Sequence, residues 1–273
     1  MPSTVPQKIA VGQLTSGIDV DSNLAACSRL CAGAKARGAS LIVLPECFAF
    51  LGRGDSDTLS IMQPLDGPLF SRFQALAKEH AIWVCFGGFP DRHDEHHSSN
   101  AHVVVDEQGA MRAVYRKIHL FDVTVGSSQY RESAATVAGD QLVVTDSPVG
   151  KLGLTVCYDL RFPELYGALC RQGAQVLLVP AAFTLLTGKE HWEALLRARA
   201  IENQCYVAAA AQTGRNNDKR DTFGHAMIVD PWGTVVAQCR DGESVAVADV
   251  DVAWLEQVRA RMPVATHRRP DLY

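Results

Sequence analysis

Gly153-Leu154-Thr155-Val156-Cys157-Tyr158-Asp159 is a short apolar run that ends on a thiol, and Arg161-Phe162-Pro163-Glu164-Leu165 follows it with helix-start character. Its β-branched residues and its length predict a strand over 152–157 that turns sharply into a helix over 162–172. Cys157 then sits on a strand-to-helix corner, where the positive end of a helix can favour a thiolate. Free cysteine is equally one of the most buried residue types. This segment alone therefore leaves a nucleophile and a core cysteine both open.

Outward from that corner, strands and helices alternate along the chain. Strands are expected at 8–14, 41–44, 82–87, 101–106, 114–118, 176–179 and 206–211, and helices at 23–38, 70–80 and 192–203. Glu107-Gln108-Gly109 reads as a hairpin turn between two of the strands. After 225 the pattern becomes antiparallel, with strands at 225–230, 234–238 and 245–250 and a short helix at 252–261. No Ser/Gly-rich or Pro-rich linker divides the chain, so residues 1–273 are expected to form one domain. Interleaved helices and two sets of strands predict an α/β fold with sheets stacked face to face and helices outside.

Composition excludes several classes of function. A formal net charge of -4 gives no electrostatic basis for binding nucleic acid. Arg259, Arg261, Arg268 and Arg269 do cluster, but acidic residues flank them, as on a solvated or interface face. The eight cysteines are scattered without a CxxC, which points to a reducing compartment rather than a disulfide framework. Cys27 and Cys31 can share a helical face but lack a matching second pair for zinc. There is no apolar run long enough to span a membrane and no signal-peptide pattern, so a cytoplasmic protein with no membrane partner is expected. The His-rich stretch 91–100 is expected to be a surface loop, because His pairs that bind catalytic zinc need a helix face to fix them. No GxGxxG follows the first strand, which removes a dinucleotide-binding reading.

Two further residues share the placement of Cys157. Glu46 ends the run Leu41-Ile42-Val43-Leu44-Pro45-Glu46, and Lys117 ends another in Tyr115-Arg116-Lys117-Ile118-His119. Each is an ionisable group at the carboxyl end of an apolar strand, where α/β sites usually lie. One sheet could bring all three to one pocket, and a thiol, a carboxylate and an ammonium are a nucleophile, a base and an oxyanion stabiliser. A Cys–His alternative would draw on His119, His191 or His225, none of which has a recognisable papain-like context.

These segments resemble the three signatures of the nitrilase superfamily of carbon–nitrogen hydrolases: Leu44-Pro45-Glu46, Tyr115-Arg116-Lys117-Ile118-His119, and Val156-Cys157-Tyr158-Asp159-Leu160-Arg161-Phe162-Pro163-Glu164. Matching stretches continue in His191-Trp192-Glu193, in Arg197-Ala198-Arg199, and in Asp230-Pro231-Trp232-Gly233. The resemblance implies a four-layer α-β-β-α sandwich and a triad of Glu46 as general base, Lys117 as electrostatic stabiliser and Cys157 as nucleophile. It further implies Glu132 as a supporting carboxylate and the Tyr158 N–H, with Lys117, as the oxyanion hole. Arg161, Phe183 and Thr184 are the implied substrate-binding residues, Arg161 as a clamp on a substrate carboxylate. No metal or organic cofactor is implied. Homodimerisation is, with residues 263–273 as an arm across the contact.

Within the superfamily, Pro45-Glu46-Cys47-Phe48-Ala49-Phe50-Leu51-Gly52 and His267-Arg268-Arg269-Pro270-Asp271-Leu272-Tyr273 are similar to the branch acting on deaminated glutathione. Hydrolysis of that amide is accordingly the expected activity. An omega-amidase acting on 2-oxoglutaramate, or a scaffold protein of the same fold without turnover, are the alternatives.

Overall fold

The structure, a computed structural model, describes residues 6–126 and 128–272. Among these residues two large sheets lie face to face. The eight-stranded sheet runs in the order Asp221–Phe223, Ala211–Arg215, Gln7–Leu14, Leu41–Leu44, Trp83–Arg92, Ser98–Val105 and Met111–Arg116, with Ser244–Val250 also paired to Gln7–Leu14. The six-stranded sheet has the order Val235–Gln238, Met227–Val229, Tyr206–Ala209, Val176–Leu178, Leu152–Leu154 and Val144–Thr145.

Strand side chains alternate between two cores, and this alternation defines the layers. Ala10, Leu14, Ile42, Leu44, Val84 and Phe86 pack under the helices Val20–Ala36 and Pro68–Glu79, with Phe48, Phe70 and Phe73 among them. Ile9, Val11, Leu41, Val43 and Cys85 face the other way, against the six-stranded sheet. Beyond that sheet, Leu165, Leu169, Trp192 and Leu196 close the same core from the helices Pro163–Arg171 and Leu185–Asn203. The order helix, sheet, sheet, helix is the expected four-layer sandwich. Because central strands are buried on both faces, they read in sequence as unbroken apolar runs.

Several boundaries move for physical reasons. The run expected as one strand over 206–211 is two: Tyr206–Ala209 pairs with Val176–Leu178, while Ala211–Arg215 pairs with Gln7–Leu14 in the other sheet. Ala210 is thus where the chain passes between the layers. The polar stretch expected as a loop over 91–100 is strand at both ends, with Asp91 paired to Ser99 and Arg92 to Ser98. Only its tip turns, held by Asp94 accepting the N–H groups of His96 and His97. The last long helix begins at Leu185, seven residues ahead of expectation. Gly188 interrupts the helical pattern there, yet it is required, because a Cβ would overlap the Phe223 ring.

The C-terminal segment lies against its own chain. Gln204 Nε2 donates to the Met262 carbonyl at 2.7 Å and an Arg268 N–H to the Glu202 carbonyl at 3.4 Å. Tyr273, the end of the expected arm, lies outside the described residues.

Candidate active site

Glu46 follows a strand that is fully buried, and it turns inward instead of to solvent, remaining 5% exposed. Its Oε1 accepts from Asn100 Nδ2 at 2.9 Å and from Lys117 Nζ at 3.2 Å. Its Oε2 accepts the Ala182 N–H at 3.0 Å, from the segment after Val176–Leu178 in the opposite sheet. The carboxylate therefore spans the seam between the sheets. The seam is tight: Gly88 has φ +76, and a Cβ there would come 2.8 Å from both Glu46 Cγ and Asn100 Oδ1. A Cβ on Gly87 would overlap Pro180. These two glycines form the bulge in strand Trp83–Arg92 that lets the layers meet.

Lys117 leaves the strand Met111–Arg116 and is 2% exposed. Besides Glu46 it donates to both Glu132 oxygens, at 3.0 and 2.8 Å. Glu132 Oε2 also accepts the Phe121 N–H at 2.7 Å. A buried ammonium between two carboxylates satisfies the rule that buried charges are paired.

Cys157 stands at φ +48, a left-handed conformation that costs a non-glycine residue of order 1–3 kcal/mol. It opens the short 3-10 turn Cys157–Arg161, which leads into Pro163–Arg171. Two contacts impose the corner. The Cys157 N–H donates to the Pro180 carbonyl at 2.9 Å, and Asp159, fully buried, accepts the Val156 N–H at 2.8 Å. Asp159 also accepts the Tyr115 hydroxyl at 2.7 Å and the His119 N–H at 3.1 Å. One carboxylate thus ties the Cys157 turn to the segment that carries Lys117.

Glu46 and Lys117 arise from the eight-stranded sheet and Cys157 from the six-stranded one, so the expectation of a single sheet is corrected. A single sheet presents one edge to a ligand. Two facing sheets can enclose it.

The electrostatics correct a second expectation. Burial raises the Glu46 carboxyl, but Lys117, the Cys157 thiol, Arg220 and Asn100 together hold it below the ordinary carboxylate value. Burial opposes the charge on Lys117, and Glu132 and Glu46 more than restore it, well above the usual lysine value. The Cys157 thiol is pushed well up by burial and then by Glu46, with Lys117 pulling the other way. The resting pair is a carboxylate and a thiol, not the thiolate that a helix terminus alone would favour.

Glu46, Lys117, Glu132, Cys157, Tyr158, Arg161, Phe183 and Thr184 all line one cavity of about 470 Å³. Its size is ordinary for a small-molecule site. The Arg161 guanidinium lies 5.9 Å from the Tyr158 ring centre and 5.5 Å from that of Phe183. No imidazole lines the cavity among the described residues. The His119 ring is instead stacked 3.7 Å from Phe162 and bound through Nδ1 to Asp159. Among the described residues there is no cluster of three or more His, Cys, Asp or Glu side chains fit to hold a metal ion.

Three contributors were not anticipated. Asn100 lay in the polar stretch read as surface. Gln212 lies one residue past the expected strand 206–211, and its Nε2 donates to the Glu46 carbonyl at 3.0 Å. Arg220 belongs to the polar run Asn216-Asn217-Asp218-Lys219-Arg220, which nothing distinguishes from a solvated loop.

Stacked sheets flanked by helices, with a thiol, a carboxylate and an ammonium in one buried cavity, define a sandwich hydrolase of the kind the three motifs resemble. The chain belongs to the carbon–nitrogen hydrolase family, whose model matches residues 8–260. It is 47% identical over 271 residues to the human protein named deaminated glutathione amidase, covering 97% of this chain and 83% of that one. The crystal structure of the C. elegans NitFhit protein superposes with a TM-score of 0.92 at 43% identity, covering 99% of this chain and 67% of that one. Saccharomyces cerevisiae Nit3, a member of branch 10 of the nitrilase superfamily, superposes with a TM-score of 0.85 at 30% identity, covering 97% of each chain.

Proposed function

We propose that this carbon–nitrogen hydrolase cleaves the amide of deaminated glutathione, a 2-oxoglutaryl unit joined to cysteinylglycine, with Glu46, Lys117 and Cys157 as its triad. The supporting observation is the buried Glu46 carboxylate, bound to Lys117 at 3.2 Å and lining the same cavity as the Cys157 thiol. The names of the relatives support the substrate.

In this reading the thiol proton passes to Glu46 as sulfur bonds to the amide carbon. Lys117 stabilises the oxyanion, together with the Tyr158 N–H, which lies in the first turn of a helix where no intrahelical acceptor is available. Glu46 returns the proton to the leaving nitrogen, the carbon–nitrogen bond breaks, and cysteinylglycine departs. A water molecule, giving its proton to Glu46, then attacks the thioester. 2-Oxoglutarate leaves and the thiol regains its proton. Glu132 keeps Lys117 in place through two hydrogen bonds. Arg161 clamps the 2-oxo acid carboxylate, with Phe183 and Thr184 beside it.

Cytoplasmic residence and a homodimer belong to the same proposal. Ile201 on the helix Leu185–Asn203 is 50% exposed and Trp232 in the turn before Val235–Gln238 is 59% exposed, and Gly233 lies against Ile201. Among the described residues no helix is long and apolar enough to cross a membrane.

The test is product detection with deaminated glutathione beside 2-oxoglutaramate, in the wild type and in Arg161→Lys. Faster turnover of deaminated glutathione is expected. The lysine variant should lose roughly 10²-fold on it, because an ammonium cannot reproduce the planar fork and a misplaced amide reacts slowly. Preference for 2-oxoglutaramate would make the protein an omega-amidase, and turnover of neither would overturn the enzymatic reading.

A further inference from the structure

Arg220 lines the cavity wall, and the proposed chemistry gives it no role. Its Nε is shut off from solvent, and its side chain has no hydrogen-bond or ion-pair partner among the described residues. Such a group is costly unless something completes it. Burial opposes its charge, yet Cys47, Glu46 and Cys157 all lie close enough to favour it. Its neighbours differ in this respect: Arg53 is paired with Asp218 at 2.8 Å, and Lys117 with two glutamates.

Arg220 also approaches the reacting centre from a different layer than Arg161 does. Arg161 belongs to the Cys157 turn, on the six-stranded sheet, over the rings of Tyr158 and Phe183. Arg220 lies just ahead of Asp221–Phe223, in the eight-stranded sheet, among the exposed lining residues Arg53, Gly54 and Lys219. Those exposed residues mark that side of the cavity as its open rim.

We propose that Arg220 is a second carboxylate subsite, which takes the terminal carboxylate of a peptidyl leaving group while Arg161 takes the acid on the acyl side. The inference rests on the amidase reading above and adds to it a reason for the cavity to prefer an N-acyl dipeptide over a primary amide. Deaminated glutathione carries one carboxylate on each side of the scissile bond, whereas 2-oxoglutaramate has only the acyl-side one. A charge-assisted hydrogen bond from the half-buried guanidinium would account for a preference on the order of 10- to 100-fold.

The experiment compares wild type, Arg220→Gln and Arg220→Lys on three substrates: deaminated glutathione, the same compound with a C-terminal carboxamide, and 2-oxoglutaramate. Whatever common change the loss of a charge beside Glu46 brings to all three substrates, Arg220→Gln should raise KM for the carboxylate-ended substrate by about 10- to 100-fold more than for the other two. Arg220→Lys should recover part of the loss. Equal losses on all three would show that Arg220 acts through Glu46 or the fold, and an unchanged KM would show that it binds nothing; either overturns the subsite. Binding of N-acetyl-cysteinylglycine and its amide, read by calorimetry, separates this inference from the reading it rests on. Arg220-dependent preference for the acid supports the subsite even if deaminated glutathione is not hydrolysed, and no preference contradicts it even if it is.

Discussion

Cys47 and Cys157 occupy the same kind of corner. Each follows a buried strand, each is a non-glycine residue in the left-handed region, at φ 58 and 48, and each lines the cavity. Cys47 is the more exposed of the two. Burial raises both thiols, Cys47 to about 12. They differ in their dealings with Glu46. The Glu46 charge disfavours a thiolate at both; at Cys157 the carboxylate also stands close enough to act on the S–H group directly, which gives the proton somewhere to go. Neither exposure nor strained backbone therefore makes the nucleophile. In the proposed reading the distinguishing feature is a base beside the thiol whose charge Lys117 sustains.

The sharpest way to break this comparison is to remove each thiol in turn. Cys157→Ala should lower kcat by about 10⁴- to 10⁶-fold, the scale seen when a triad nucleophile is lost. Cys47→Ala should stay within a few-fold, since it takes away a thiol with no base. An inactive Cys47 variant beside an active Cys157 variant would reverse the assignment.

Lys117→Ala tests what the ammonium adds. Turnover should fall by roughly 10²–10³-fold with native circular dichroism, the scale of a lost oxyanion donor. The variant should also melt at lower temperature, because Glu46 is left buried without its cation; breaking a buried pair costs about 3–5 kcal/mol. Near-wild-type turnover would remove Lys117 from the mechanism.

The pH profile is the gentlest probe. Glu46 is held below the ordinary value of 4.5, so it is already ionised at neutral pH. Its ion pair contributes stability that is fully present above the unfolded value and is lost as pH falls through the folded one. For an uncharged amide, kcat/KM should therefore stay level on the acid side and decline only below 4.5. A limb near about 6.5 would point to an imidazole, which the comparison of the two corners leaves no place for.

Much of this site was legible in the sequence because each reactive group ends an unbroken apolar run, and such runs mark strands buried on both faces. The pairing of strands was not legible. Hydrophobic period reports that 206–211 is extended, but it carries no signal that Ala210 passes between sheets, and so two edges were read as one. Asn100 and Arg220 were hidden for another reason. Both lie in polar stretches whose composition is that of a solvated loop, and only their approach to Glu46 distinguishes them. Asp159 stood in plain view within its motif. Its role as the tie between the Cys157 turn and the Lys117 segment depends on Tyr115 and His119, about forty residues away, and no local pattern predicts that contact.

The central claim is that Cys157, and not its twin at Cys47, carries the acyl group. Acid quench of the full-length protein during turnover of deaminated glutathione, followed by peptide mapping by mass spectrometry, tests it most directly. A 2-oxoglutaryl thioester on the peptide containing Cys157, and none on the peptide containing Cys47, is the predicted result. An acyl group on Cys47, or steady turnover in which no cysteine is ever acylated, would contradict the account.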